Sequence, residues 1–557
     1  MACPGRCLRQ IRSVRGGRRR QRPGERGPRG RRAFAAAADR PGPDLSETHR
    51  GGSRAPHALD RRERGVEAVF PLLTVITFLP LAGAVAVALL PRSREGAARW
   101  VAAAVTAADL ALAVRLLAGF RTGAEGMQFV ERLPWVPQVG IQYFMGVDGI
   151  SVTMVFLSAL LTLLSVLASW KVAERPKAYF AMMLLLQVGM TGVFCALDFV
   201  LFYVFWELVL VPMYFLIAWW GGPRREYAAI KFFLYTLAGS VFMLVGILAL
   251  YLHPAGGTFD MVMLAASNLP AGFQWWVFAA FFLGFAVKVP IWPLHTWLPD
   301  AHVEAPTAAS VLLAGVLLKM GTYGFLRVSL PILPQASASW AWFIALLATI
   351  SIVYGAAVAF AQTDLKKLVA YSSVSHMGFV MLGIASMTAE GINGAIAVMF
   401  SHGLVTGLLF LLVGMVYERA HTRKIADLSG LSGQMPVYAG ILAFASFASL
   451  GLPGLSGFVG EFLSLLGAWK SDMHRGFVIL SALGVLLAAA YMLWMLQRVV
   501  FGKPSPAVSG ISDIGRLELV TVLPLILLTV VVGVWWDVLL RFCDPAVQAL
   551  VSALGAS

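Results

Sequence analysis

Four ionisable side chains stand deep inside apolar stretches, where an ionised group at mid-bilayer costs about 2.5–3.5 kcal/mol and so needs a reason to be present. Glu207 lies midway along Phe202 to Ile217, and Lys288 comes two residues before Pro290. Lys319 is far from either polar flank of its stretch, and Glu461 follows Gly451-Leu452-Pro453-Gly454. An amine and a carboxyl sheltered from water both favour their uncharged forms, and each tempers the cost of the other when close. A lysine that trades a proton near neutral pH beside a biasing glutamate is the chemistry of a proton relay. We expect Glu207 to modulate Lys288, Lys319 to pass the proton on, and Glu461 to gate the far half of the path. The competing expectation is a set of static interhelical ion pairs.

Histidine is the other proton carrier, because its ordinary pKa near 6.5 makes gain and loss of a proton comparably easy. His295 and His302 bracket Thr296 to Ala301, while His376 and His402 fall within apolar stretches. His295, His376 and His402 are expected to hold a water chain, against the bland reading of a lone membrane histidine as a helix-to-helix hydrogen bond. Lys231 either snorkels to the interface or feeds the same chain. Asp109 and Arg115 stand apart from these groups and are read as structural.

What must position these residues is a bundle of membrane helices. Of 557 residues 59% are apolar and 13% charged, against roughly 45–50% and about 25% in a soluble domain; mean hydropathy is +0.76. From Phe70 onward, stretches of about 20 apolar residues, the length that crosses the hydrocarbon core as helix, recur between short polar breaks. They fall near 70–90, 99–119, 147–169, 178–197, 199–220, 229–252, 274–293, 305–328, 339–361, 366–387, 391–417, 436–466, 476–501 and 517–540. The expected fold is therefore an all-α polytopic membrane protein of about fourteen transmembrane helices. Alternate loops carry 16 Lys and Arg against 6 in the others, so the richer set faces the cytoplasm and both ends of the helical body face outward.

Pro and Gly cluster in two of these spans, the seventh with Lys288-Val289-Pro290 and Pro293, the twelfth with Gly451 to Gly454. Broken helices in matching places point to an inverted repeat with a transport site. If spans 4 to 8 and 9 to 13 are two five-helix units, the broken helix is fourth in each. An odd number of helices inserts consecutive units upside down relative to one another. The expected division is then an extension 1–65, helices 1–3 in 66–177, a first unit 178–330, a second unit 331–503, and a C-terminal helix in 504–557.

Met1 to Gly65 has too little apolar content to fold and reads as disordered, with Val66 as an alternative start. It holds 18 Arg and 6 acids, so it carries +12 of the net +15. The basicity thus belongs to the extension, and the body has no footprint for nucleic acid. Cys3, Cys7, Cys195 and Cys543 form no C-x-x-C pair, and no Gly-rich phosphate loop joins a strand to a helix. Neither a metal nor a nucleotide or flavin cofactor is expected on this chain.

Several strings carry a family resemblance. They are G-V-D-G-I-S from Gly146, the Glu207 segment, Y-A-A-I-K-F-F-L-Y-T from Tyr227, A-V-K-V-P-I-W-P-L-H-T-W-L-P-D-A-H-V-E-A-P from Ala286, and L-G-L-P-G-L-S-G-F-V-G-E-F from Leu450. Over Phe70 to Leu540 the chain resembles the antiporter-like subunits of respiratory NADH-quinone oxidoreductase, complex I. The resemblance implies that the essential glutamate, relay lysines and terminal acid of the M type fall on Glu207, Lys288, Lys319 and Glu461. A carboxylate at 461 separates it from the N and L types, which usually carry lysine there. The L type's long lateral helix is also missing from the sequence.

The resemblance further implies that NADH, FMN, iron–sulfur clusters and quinone belong to partner subunits, with N- and L-type neighbours beside this chain in a bacterial plasma membrane. Proton translocation driven by NADH oxidation is then the expected function. The alternative is a subunit of a multi-subunit Na⁺/H⁺ antiporter, whose large subunits share the broken helices and lysines.

Overall fold

A computed structural model describes residues 71 to 556 apart from Glu125, and the Arg-rich extension lies outside the described residues. Among the described residues fourteen helices are long and apolar enough to cross a membrane. The early spans fall close to their expected places: Leu72–Leu89, Ala98–Gly119, Gly149–Ala168 and Pro176–Cys195. The membership of the fourteen differs from expectation in two places. The expected span 436–466 is two short helices, Pro436–Ser449 and Ser456–Lys470. The fourteenth long helix is instead Asp537–Gly555, which hydropathy alone did not single out.

That last helix caps the bundle. Its Cys543 Sγ donates to the Gly149 carbonyl at 3.5 Å, and its Asp544 accepts from Asn393 Nδ2 at 2.7 Å. Both partners stand in the first turns of their spans. The same end carries a hairpin the hydropathy reading left as loop, strands Gln128–Val136 and Ile141–Val147. The hairpin is tied down by Glu131, which accepts from the Leu73 and Thr74 amides at 2.7 and 3.0 Å and so satisfies open N–H groups at the start of the first span.

The breaks follow from lost backbone donors. In the fifth span, Phe199–Leu208 stops and Leu210–Trp220 restarts, because Pro212 has no N–H to offer the Leu208 carbonyl. Glu207 therefore sits at a kink where a straight helix was expected. In the seventh span, Ala271–Lys288 ends before Pro290, and the chain re-forms as Trp297–Glu304. The Ile291 amide takes the Ala286 carbonyl at 3.1 Å, and the Trp297 indole takes that of Val287 at 2.9 Å. In the twelfth, Gly451 has φ +79°, and a Cβ there would lie 3.0 Å from Glu461 Oε2. Glycine suits both the left-handed turn and the approaching carboxylate.

The core lies where the expected proton groups are. The eighth span, Thr307–Ile332, and the eleventh, Ala389–Ala420, are buried all round, and the tenth, Leu365–Ala385, nearly so. Helices apolar and covered on every face belong at the centre of a bundle. Two wider turns, Leu313–Leu317 and Phe325–Ser329, flank the Lys319 segment of the eighth span. Such π-type turns leave carbonyls out of the ordinary ladder.

Candidate functional site

The eighth, tenth, eleventh and twelfth spans bring four of the expected residues into one line. Lys319, with no exposed surface, donates from Nζ to the Ala314 carbonyl within the first wide turn. The same Nζ lies 2.6 Å from His402 Nδ1. The His402 and His376 rings are 5.6 Å apart, centre to centre, at 64°. His376 Nδ1 lies 2.9 Å from Glu461 Oε1, and its Nε2 lies 3.3 Å from Ser449 Oγ. A cavity of about 20 Å³ lies among His376, Ser401, His402, Ser449 and Glu461, which is room for about one water.

The expected relay left the neighbours of Lys319 and Glu461 open; in the structure the base next to Lys319 is His402 and the partner of Glu461 is His376. Chemically the line runs amine, imidazole, imidazole, carboxylate. Each imidazole can accept a proton at one ring nitrogen while releasing one at the other, and His402 Nε2 has no partner among the described residues.

Lys288 and Glu207 form a separate pair of sites. Lys288 Nζ is buried with no hydrogen-bond partner and lies 4.6 Å from the centre of the Trp206 ring. Glu207 is the next residue, close enough for its charge to act on Lys288 without a direct ion pair. Its Oε1 is likewise buried and unpartnered. The indole face gives the ammonium a cation–π contact, which leaves its protons free for transfer.

The remaining expected residues group away from the central line. Lys231 meets Asp300 at 2.7 Å, and Arg224 lies 3.7 Å from the same carboxylate, so Lys231 is an ion-pair partner within a charged cluster. His295 packs against Tyr354 and Tyr371, at 5.2 and 6.4 Å between ring centres, and the structure does not join it to Lys319 or Glu461.

One residue that sequence reasoning noted but did not retain is His302. It is fully buried, stacks on Phe410 at 4.6 Å, and has both ring nitrogens unpartnered. Its half-helix Trp297–Glu304 is clamped at its C-terminal end by Arg423, which donates to the Val303 carbonyl at 2.6 Å, and by Lys366, which donates to Ala305 at 2.5 Å. Cations at that end also complement the helix dipole. The usable signal was the H-T-W-L-P-D-A-H spacing after a helix break.

At the hairpin end, Asp148 caps the third span by accepting from Ser151 N at 2.9 Å, and Arg327 Nη2 lies 2.5 Å from its Oδ2. Burial pushes this carboxyl up, but the Arg327 charge and the hydrogen bonds outweigh it and hold Asp148 below its usual range. Among the described residues no group of His, Cys, Asp and Glu is arranged to hold a metal ion.

Comparison with known proteins shows what the chain is similar to. The profile described as NADH:quinone oxidoreductase/Mrp antiporter, TM, matches residues 196–496, and that of NADH-ubiquinone oxidoreductase chain 4, amino terminus, matches 129–195. The chain is 47% identical to NADH-quinone oxidoreductase subunit M of Rhodobacter capsulatus, over 86% of this chain and 96% of that one. It is 41% identical to subunit M of Rickettsia conorii, over 86% and 99%. Among solved structures, a chain of respiratory complex I from Thermus thermophilus superposes with TM-score 0.80 and 34% identity, covering 86% of this chain and 99% of that one. A chain of the Mrp complex from Dietzia sp. shares the fold, with TM-score 0.75 and 22% identity over 87% and 98%.

Proposed function

The chain belongs to the NADH:quinone oxidoreductase/Mrp antiporter membrane family, as a subunit M of NADH-quinone oxidoreductase, and on that premise we propose how its side chains move protons. It is a multi-pass membrane subunit of a proton-translocating oxidoreductase. In our reading Glu207 biases Lys288, Lys288 hands charge or protons to Lys319, and His402 and His376 carry the proton to Glu461. Lys231 and His295 serve the entry side with His302. The observation that carries this reading is the line Lys319–His402–His376–Glu461, in which both terminal contacts are within hydrogen-bond distance.

The wider assignment follows from the same premise. Spans 4 to 8 and 9 to 13 act as two inverted five-helix units, 178–330 and 331–503, behind the helices of 66–177 and before the C-terminal segment 504–557. NADH oxidation, FMN, iron–sulfur clusters and quinone reduction reside on partner subunits, and this chain holds no redox group. N- and L-type subunits flank it in a bacterial plasma membrane, with the hairpin-bearing face outward. Against 100 mV one proton requires about 2.3 kcal/mol, so electron transfer elsewhere can drive several such paths.

The test is Lys319→Met in the assembled complex. NADH-driven proton uptake by inverted vesicles is expected to fall, while NADH oxidation by a soluble electron acceptor continues. Uptake equal to the native complex overturns the assignment. Proton flux that needs Na⁺ and proceeds without NADH would instead favour the antiporter reading.

A further inference from the structure

Asp109, in the second span and outside the line described above, has no exposed surface, and neither has its partner Gln187 in the fourth span. Gln187 Nε2 donates to Asp109 Oδ2 at 2.5 Å. The other oxygen of each group, Asp109 Oδ1 and Gln187 Oε1, has no partner among the described residues. Both are acceptors when the carboxyl is ionised, so they cannot satisfy one another, and an anion without a counter-charge would stand at the middle of the membrane.

Among the described residues the flanking spans contribute no cation, and Arg115, six residues further along the second span, is exposed. The first span, Leu72–Leu89, and the third, Gly149–Ala168, flank the second and contain no ionisable residue. On the fourth span Lys177 is committed to the Leu90 carbonyl, and on the second Arg99 donates to the Trp170 carbonyl at 3.2 Å. A single proton on Asp109 resolves both orphans, because the acid O–H then donates to the Gln187 carbonyl while the amide N–H donates back.

A line of polar groups leads from this pair toward the hairpin. Thr191 lies one turn beyond Gln187 with its buried hydroxyl unpartnered among the described residues, and Thr77 stands on the neighbouring first span with its buried hydroxyl facing Cys195. Beyond them Thr74 Oγ1 reaches Glu131 at 2.5 Å and Tyr143 at 2.6 Å. The titratable groups facing the line are Cys195 on the fourth span and Glu131 and Tyr143 on the hairpin.

We propose that Asp109 and Gln187 form a proton-binding site, uncharged at neutral pH, that exchanges its proton with the hairpin-bearing face through Thr191 and Thr77. The site is separate from the lysine–histidine line and joins the second span, through Asp109, to the fourth, through Gln187.

The test compares infrared spectra of the assembled native and Asp109→Asn complexes at neutral pH. Asparagine can close the same two-bond ring, so the variant is expected to assemble like the native chain. The difference spectrum should show the carbonyl band of a protonated carboxyl that the variant has lost, shifting on transfer to D₂O and shifting more slowly in Thr191→Val. Absence of the band, a band that never shifts in D₂O, or failure of Asp109→Asn to assemble each overturns the proposal. As a contrast, Asp109→Leu strands the Gln187 amide and is expected to lower the amount of assembled subunit.

Discussion

Replacing His402 by leucine removes the imidazole that stands between Lys319 and His376. Lys319 Nζ then keeps only the Ala314 carbonyl, having lost its 2.6 Å contact with a ring nitrogen. A buried polar group left short of a partner costs about 1–3 kcal/mol, which an assembled membrane bundle should tolerate. The functional loss is larger. The ring that lay 5.6 Å from His376 is gone, and leucine fills the space beside a cavity of only about 20 Å³. A positioned proton carrier contributes typically about 10²–10⁴-fold to transfer, so transfer along this line should drop at least about a hundredfold. His402→Ala opens space that water can enter and is expected to retain more pumping than His402→Leu. The assay is NADH-driven proton uptake by inverted vesicles, normalised to assembled complex on native gels. Equal pumping by His402→Leu and the native chain, or less pumping by the alanine variant than by the leucine variant, would refute the reasoning.

Three further outcomes follow from the packing. A Cβ at Gly321 would lie 2.7 Å from Val289 Cγ2 and 2.9 Å from the Phe285 carbonyl, so Gly321→Ala should displace the seventh-span break at a cost of about 1–3 kcal/mol, seen as less assembled subunit. Arg327→Met strands Asp148 and should cost about 3–5 kcal/mol in thermal stability. Because Arg327 holds the folded Asp148 carboxyl low, the pair's contribution is present above the unfolded carboxyl range and is lost as pH falls through the folded value; acidification should therefore narrow the gap between Arg327→Met and the native chain. Gly149→Ala places a Cβ 1.6 Å from the Phe542 carbonyl, so the C-terminal helix must lift. Buried Cys543 should then react with a maleimide faster than in the native chain, and unchanged labelling would contradict the capping role.

Much of this architecture was legible from hydropathy because membrane helices announce themselves by length. The tenth span, expected over 366–387, occupies Leu365–Ala385. The two helix breaks were legible too, since Pro290 and Gly451 interrupt otherwise apolar runs. The half-helix Trp297–Glu304 was not, because it is short and contains Asp300, His302 and Glu304. The further helix Asp537–Gly555 was missed because its apolar residues are spread along one face. The partners in the central line escaped for a different reason: Lys319 and His402 are 83 residues apart, and His376 and Glu461 85. Such pairings are set by how spans pack, which no local spacing records. Sequence reasoning therefore found the ionisable groups and the candidate histidines but not the order in which folding joins Lys319, His402, His376 and Glu461.

The central claim is that a proton passes from Lys319 through two histidines to Glu461. The most direct measurement is the number of protons pumped per NADH oxidised in proteoliposomes containing the Glu461→Gln complex. Glutamine keeps the shape that faces His376 but removes the terminal proton acceptor, so the ratio should fall below that of the native complex while NADH oxidation by a soluble acceptor is unchanged. An unaltered ratio would contradict the account.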